Sequence, residues 1–211
     1  MDVIQSEEEQ IESIRKWWSE NALSVIGGLV IGFVAIFGWR GWQGYRLAQA
    51  EAASNLYANL IVDVRRQKYD HAREVADQIV SKYKETGYAV YASMLLAKFD
   101  VNDGKPDSAI KHLQWVIDSA DQNELKHLAR LRMARLLLSE NKAEQALQLI
   151  GSVEQGEFTA SYEELKGDIL LQQGNTEAAR TAYQLALSGS NGAVNNDAFL
   201  QMKIDNLGNG N

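Results

Sequence analysis

The residues of this chain that could transfer protons or bind a metal are scattered rather than grouped. His71, His112 and His127 lie among charged residues of helical segments, and Glu163-Glu164 fits a solvated helix face. The sequence contains no HExxH, P-loop, GxSxG or GxGxxG motif. Cysteine is absent, so neither a disulfide nor a thiolate metal site can form. We therefore predict that the protein is not an enzyme and holds no cofactor or metal.

Composition narrows the class of partner. The chain has 211 residues and a formal net charge of −7. Nucleic-acid binding requires clustered Lys and Arg, and no cluster here is longer than two. A mean hydropathy of −0.30 also excludes a protein that crosses a membrane many times.

One uncharged segment, residues 21–39, stands apart from the rest of the chain. As a helix it would be about 28 Å long, close to the thickness of a bilayer's hydrocarbon core. Gly28 and Gly32 form a GxxxG pair, a weak signal for helix contact. We predict a transmembrane helix over residues 21–39, preceded by a tail of residues 1–20. The expected interfacial anchors are the cationic and aromatic residues that flank the segment: Arg15, Lys16, Trp17, Trp18, Trp39, Arg40 and Trp42.

The segment has two other possible interpretations: a buried helix of a soluble domain and a cleaved signal peptide. A buried helix of a soluble domain would not collect Trp residues at both of its ends. A signal peptide could be cleaved after Ala48-Gln49-Ala50, but bulky and cationic residues separate that site from the apolar segment. We favour an uncleaved anchor. Its orientation stays open, because the positive charges on its two sides balance.

The remainder, residues 46–207, carries a helical repeat. Four similar turn segments each close on an alanine: Ala72, Ala109, Ala146 and Ala179. Their spacings of 37, 37 and 33 residues are close to the period of about 34 that is typical of tetratricopeptide repeats. Gly104, Asn141 and Gly174 can adopt the left-handed conformation that ends a helix. We predict an all-α protein in which a transmembrane helix is followed by a tetratricopeptide-like α-solenoid. An ordinary helical bundle is the alternative.

The two ends of the predicted solenoid differ. The first repeat matches the pattern least well, and its first helix could continue from the anchor; Ala76 is a poor packing residue there. The last repeat matches best, through Gly167, Gly174 and Tyr183. After a loop over residues 188–196, the amphipathic segment Leu200–Leu207 is expected to form a capping helix that covers the last apolar face.

Repeat folds of this type bind partners on a concave surface lined by the first helix of each pair. Apolar and aromatic side chains on that surface suit the recognition of peptides or unfolded segments. The repeat register places nine residues there: Tyr57, Ile61, Tyr91, Met94, Lys98, Leu131, Arg135, Leu138 and Glu164. Tyr57, Leu131 and Leu138 could equally belong to the core.

The order of these parts resembles the YfgM family of Gram-negative inner-membrane proteins, which are ancillary subunits of the SecYEG translocon. The resemblance is carried by Gly38-Trp39-Arg40-Gly41-Trp42, by the segment Lys126–Leu136, and by Gln201–Leu207. It implies a cytoplasmic N-terminus and a periplasmic repeat domain. It also implies association with SecYEG and the chaperone PpiD, contact with unfolded exported polypeptides, and a regulatory role for the cytoplasmic tail.

The residues leave two other classes of function open. One is a membrane-tethered tetratricopeptide scaffold for another envelope assembly or regulatory complex. The other is an envelope hydrolase or sensor with an unrecognised pocket.

Overall fold

The structure is a computed structural model that describes residues 7–189 and 194–208. Every regular element in these residues is helical. The α-helices are α1 (Glu7–Arg65), α2 (Tyr69–Lys82), α3 (Gly87–Asn102), α4 (Pro106–Ser119), α5 (Asn123–Ser139), α6 (Ala143–Gly151), α7 (Thr159–Gln172), α8 (Thr176–Gly189) and α9 (Val194–Asn206). A short 3-10 turn, Gly156–Phe158, precedes α7. The all-α prediction is confirmed.

The chain divides into two compact units, residues 1–51 and 52–211. In the first unit, α1 exposes large apolar side chains such as Leu29, Phe33 and Phe37, each more than half accessible. None of the most apolar window of this helix is buried, although a core helix of a soluble domain would be mostly buried. Within the described residues, α1 is the one helix long and apolar enough to cross a membrane. It is therefore a candidate membrane span.

The second unit is a series of helix pairs joined by four equivalent turns. A residue with positive φ lies at the same place in each turn: Gln67 (60°), Gly104 (68°), Asn141 (59°) and Gly174 (79°). The next amide donates back to a carbonyl of the preceding helix, closing the turn as in a Schellman motif; these bonds join Lys68 N to Asp63 O, Lys105 N to Asp100 O, Lys142 N to Leu137 O and Asn175 N to Leu170 O at 2.8–2.9 Å.

The turn of the first repeat is thus built like the other three turns. Its first helix is the end of α1, which runs without interruption to Arg65, and its second is α2. The four closing alanines, from Ala72 to Ala179, are fully buried. Small residues are required there because a longer side chain would push the two helices apart.

Each helix pair also matches one position on its first helix with one on its second. The matched pairs are Leu60 with Ala76, Ala97 with Leu113, Ala134 with Ile150, and Gly167 with Tyr183. All eight residues are buried, and the members of each of the first three pairs lie in the same core cluster. A Cβ on Gly167 would overlap the ring of Tyr183. In the first pair, Leu60 and Ala76 are buried in one core cluster, and the larger residue is on the first helix.

The expected capping helix is present as α9. Leu200 and Ile204 are buried against Tyr183 and Ala186 of α8. The Lys203 ammonium donates to Glu164 Oε1 at 2.9 Å and to Asp168 Oδ1 at 2.7 Å, both on α7. An apolar contact and a charged contact thus hold the cap to the last repeat.

Part of the segment 188–196, which was expected to form a loop, is helical. Helix α8 continues to Gly189, and α9 already begins at Val194. Residues 190–193 lie outside the described part of the chain. Helical hydrogen bonding therefore outweighs the turn preference of Gly, Asn and Ser at both edges of this segment.

Candidate protein-binding groove

A cavity of about 310 Å³ lies among the first helices of three successive pairs. It is lined by Tyr57 and Ile61 of α1 and by Tyr91, Met94 and Lys98 of α3. The structure thus brings five of the nine expected groove residues together. Helix α5 completes the cavity with Leu125, Leu128 and Arg132.

A second cavity of about 340 Å³ adjoins the first. Met94, Lys98 and Arg132 line both cavities, and Val101, Leu113 and Leu136 contribute apolar surface to the second. We refer to the two cavities together as the groove. Its lining is mostly apolar, and its charged members are Lys98 and Arg132.

The aromatic wall of the groove is formed by tyrosines from two helices. The ring of Tyr57 lies 5.7 Å from that of Tyr88 and 6.0 Å from that of Tyr91, both in tilted arrangements. Burial raises the pKa of Tyr57, and the nearby Tyr91 raises it further. The Tyr57 phenol is therefore neutral at physiological pH and offers a flat, uncharged surface.

The other four expected groove residues lie outside these two cavities. Leu131 is 3% exposed and belongs to the core around Tyr162, while Leu138 is half-buried against that core. Arg135 is exposed. Glu164 is paired with Lys203 of the cap. Leu131 is therefore a packing residue, and Glu164 helps to hold the cap.

Sequence analysis missed Leu125, Leu128 and Arg132, which form one wall of the groove. They recur at helical spacing along α5, so they share a face. The signal was available in the segment Lys126–Leu136, but the repeat register assigned Leu131 and Arg135 to that face. The structure places the groove-facing stripe on the neighbouring positions.

A buried ion pair connects the first two repeats beside the groove. Arg73 on α2 donates to Asp100 Oδ1 at 2.5 Å and to Asp103 Oδ2 at 2.8 Å. His112 Nε2 lies 3.5 Å from the other oxygen of Asp100. Burial raises the pKa of Asp100, but the nearby hydroxyl of Ser108, the hydrogen bond from Arg73 and the positive charge of Arg73 outweigh it, so the pKa is lowered. Asp100 therefore remains ionised and fixes the junction of these helices.

The histidines have structural partners. His71 Nδ1 is 2.7 Å from Asp63 Oδ2, and His127 Nδ1 is 2.9 Å from the hydroxyl of Tyr162. Burial and the nearby Arg130 lower the pKa of His127. Across residues 7–189 and 194–208, no three His, Asp or Glu side chains are grouped so as to hold a metal ion.

The expected membrane anchors lie on α1. Trp17, Trp18, Trp39 and Trp42 are each about half exposed. The rings of Trp39 and Trp42 are 5.1 Å apart, and the guanidinium of Arg46 lies over the Trp42 ring at 5.0 Å. The contact between Arg46 and Trp42 is a cation–π interaction just after the apolar segment.

With this geometry in view, comparison with known proteins defines the class. The family model described as a tetratricopeptide repeat-like domain matches residues 15–209. The chain therefore belongs to this family. The match begins before the apolar segment, so the family's common architecture includes α1 as well as the repeats.

Full-length relatives identify the branch of the family. A protein of Escherichia coli (strain K12) is 29% identical over 98% of this chain and 99% of its own length. Proteins of Aggregatibacter actinomycetemcomitans and Haemophilus influenzae are each 27% identical over 95% of this chain and 97% of theirs. All three are named ancillary SecYEG translocon subunit. These relatives confirm the resemblance to the YfgM family.

Proposed function

We propose that this protein is a membrane-anchored interaction module that associates with the SecYEG translocon. Its role is to help pass newly exported polypeptides to periplasmic chaperones such as PpiD. The observation that carries the proposal is the end-to-end similarity to relatives named for that association. The tetratricopeptide-like fold supports it, because such folds present surfaces for other proteins.

In this proposal, residues 1–20 are cytoplasmic, residues 21–39 span the inner membrane and residues 46–207 form the periplasmic domain. The uncovered apolar surface of α1 supports the span, since water would oppose its exposure. One anchor keeps the repeats near the translocation channel and raises their effective concentration for partners there. Polypeptides would bind the groove through Tyr57, Ile61, Tyr91, Met94 and Lys98, with Arg135 and Leu138 further along the surface.

Affinity purification of the full-length protein from detergent-solubilised membranes tests the association. We expect SecYEG and PpiD to co-purify with it. Its absence from such complexes, together with in-cell crosslinks to a different envelope machine, would reject the proposal in favour of the scaffold alternative.

Two further measurements test the anchor and its orientation. A periplasm-active reporter fused after Asn211 should be active, and a reporter active only in the cytoplasm should be silent. Leu29→Arg combined with Phe33→Arg should release the protein from the membrane because each cation opposes insertion by about 3 kcal/mol. The matched pair Leu29→Ala and Phe33→Ala should stay membrane-bound; equal release of both variants would contradict the span.

A further inference from the structure

The two cavities of the groove meet at a pair of cations. Lys98 on α3 and Arg132 on α5 line both cavities, together with Met94 between them. Each cavity, at about 310 and 340 Å³, is near the lower end of the range for ligand sites, roughly 300–1,000 Å³. The groove therefore offers two apolar recesses separated by positive charge.

These cations differ from Arg73 and Lys203, two basic residues that carboxylates of the repeats neutralise. Arg73 is neutralised by Asp100 and Asp103, and Lys203 by Glu164 and Asp168. In the described part of the chain, neither Lys98 nor Arg132 forms an ion pair, and neither cavity has a carboxylate in its lining. An unneutralised cationic groove is unexpected in a chain of net charge −7. It is therefore complementary to an acidic partner.

The surfaces beside the cations accept apolar groups. Tyr57 and Tyr91 line the first recess, and Val101 and Leu136 the second. Val101 is 46% exposed and Tyr91 is 37% exposed, so both recesses are open to a partner. A purely apolar segment bound here would desolvate Lys98 and Arg132 without compensating them, which opposes binding.

We infer that the groove recognises a polypeptide segment in which two apolar or aromatic side chains flank at least one carboxylate. The apolar side chains occupy the two recesses, and the carboxylate lies between them, against Lys98 and Arg132. This assignment rests on the proposed function, because it takes the groove as the polypeptide-binding site. It adds the chemistry that distinguishes one segment from another: acidic segments are retained and basic ones are repelled.

The test measures fluorescence anisotropy of short labelled peptides with the full-length protein in detergent. The reference peptide carries Phe and Leu flanking two Glu residues; the others replace Glu by Gln, Glu by Lys, or both apolar residues by Ser. We expect the Glu peptide to bind about tenfold more tightly than the Gln peptide, because oppositely charged groups at an interface favour binding and every tenfold corresponds to about 1.4 kcal/mol. The Lys and Ser peptides should bind weakest, and added salt should reduce the preference for Glu.

Charge reversal makes the assignment specific to the groove. The combined Lys98→Glu and Arg132→Glu variant should lose the Glu peptide and gain the Lys peptide, whereas Lys111→Glu, at an exposed position on α4, should behave as the wild type. Equal binding of the Glu and Gln peptides, or no peptide binding, would each overturn the inference. A wild type that is dimeric in detergent and a double variant that is monomeric would also overturn it, because a second copy of the chain would then occupy the groove. SecYEG co-purification is scored separately, so that failure of the proposed function is distinguishable from failure of this peptide preference.

Discussion

The first and last helix pairs of the repeat domain differ in which helix supplies the large residue of the matched pair described above. In the first pair the large residue is Leu60 on the first helix and the small one is Ala76 on the second. In the last pair the small residue is Gly167 on the first helix and the large one is Tyr183 on the second. The matched volume is kept while its source changes sides. A repeat is therefore specified by the combined size of two facing residues rather than by either residue alone.

The largest expected effect comes from emptying the first pair. Leu60→Ala places two alanines opposite each other in a fully buried site, so it should lower the free energy of unfolding by about 3 kcal/mol. Urea unfolding of the full-length protein, followed by far-UV circular dichroism, measures the loss. The exposed Leu185→Ala on α8 is the control and should change little. A loss below about 1 kcal/mol for Leu60→Ala would show that this first pair is not packed like the others.

Overfilling the last pair should have the next largest effect. Gly167→Ala brings a Cβ into the ring of Tyr183, and we expect a loss of about 2 kcal/mol by the same measurement. The matched control is Gly151→Ala on α6, where nothing lies near the added carbon. If both substitutions leave stability unchanged, close approach of the two helices at Gly167 is not required.

Exchanging the residues of the first pair sharpens the comparison. Ala76→Leu alone should destabilise by overpacking, but combined with Leu60→Ala it should restore about half of the roughly 3 kcal/mol lost by Leu60→Ala. A double-mutant cycle on the unfolding free energies measures this coupling. Purely additive effects would mean that the two positions do not share one volume.

Substitutions in the first and last turns should change the free energy of unfolding by smaller amounts and in opposite directions. Gln67 has a positive φ, so Gln67→Gly should raise the unfolding free energy by about 1 kcal/mol, whereas Gly174→Ala should lower it by about the same amount. Urea midpoints of the two variants provide the comparison. Destabilisation by Gln67→Gly would indicate that the Gln67 side chain contributes more than the backbone strain it causes.

The smallest expected effect is on the pH dependence of the unfolding free energy under acidic conditions. The pKa of Asp100 is lowered in the folded protein, so its contribution to stability is complete above its unfolded pKa and is lost as pH falls through the folded value. The charged or titratable groups that face it are Arg73 and His112, and Arg73 also pairs with Asp103. Asp100→Asn should therefore flatten the dependence of unfolding free energy on pH below about pH 4. Identical slopes for wild type and variant would contradict this linkage.

The four turns show which repeats could be recognised from the sequence alone. Gly104, Asn141 and Gly174 mark their turns because their residue types favour left-handed backbone. Gln67 occupies the equivalent place without any such preference, and the first repeat therefore looked weak. Its regularity comes from the hydrogen bonds and packing of the complete pair, which outweigh the local backbone cost.

Contacts between residues that are distant in the sequence limit how much of the groove could be predicted. Five of the nine residues that the repeat register predicted for the groove line one cavity, because repeat period and helix face are local properties of the sequence. The register assigned Glu164 to the groove, whereas the structure pairs it with Lys203 in a different helix. It also missed Arg132, because a small error in helix phase moves a side chain to the neighbouring stripe.

The charged attachment of α9 has a consequence for synthesis. Because α9 follows the repeats in the chain, it leaves the ribosome after them, and Lys203 meets Glu164 and Asp168 only then. Until then the carboxylates of Glu164 and Asp168 repel each other without a counter-charge, and the apolar surface around Tyr183 is not covered by Leu200 and Ile204. A chain that ends before α9 therefore exposes an apolar surface beside two carboxylates that lack a counter-charge. Proteases could use this combination to distinguish truncated chains from complete ones.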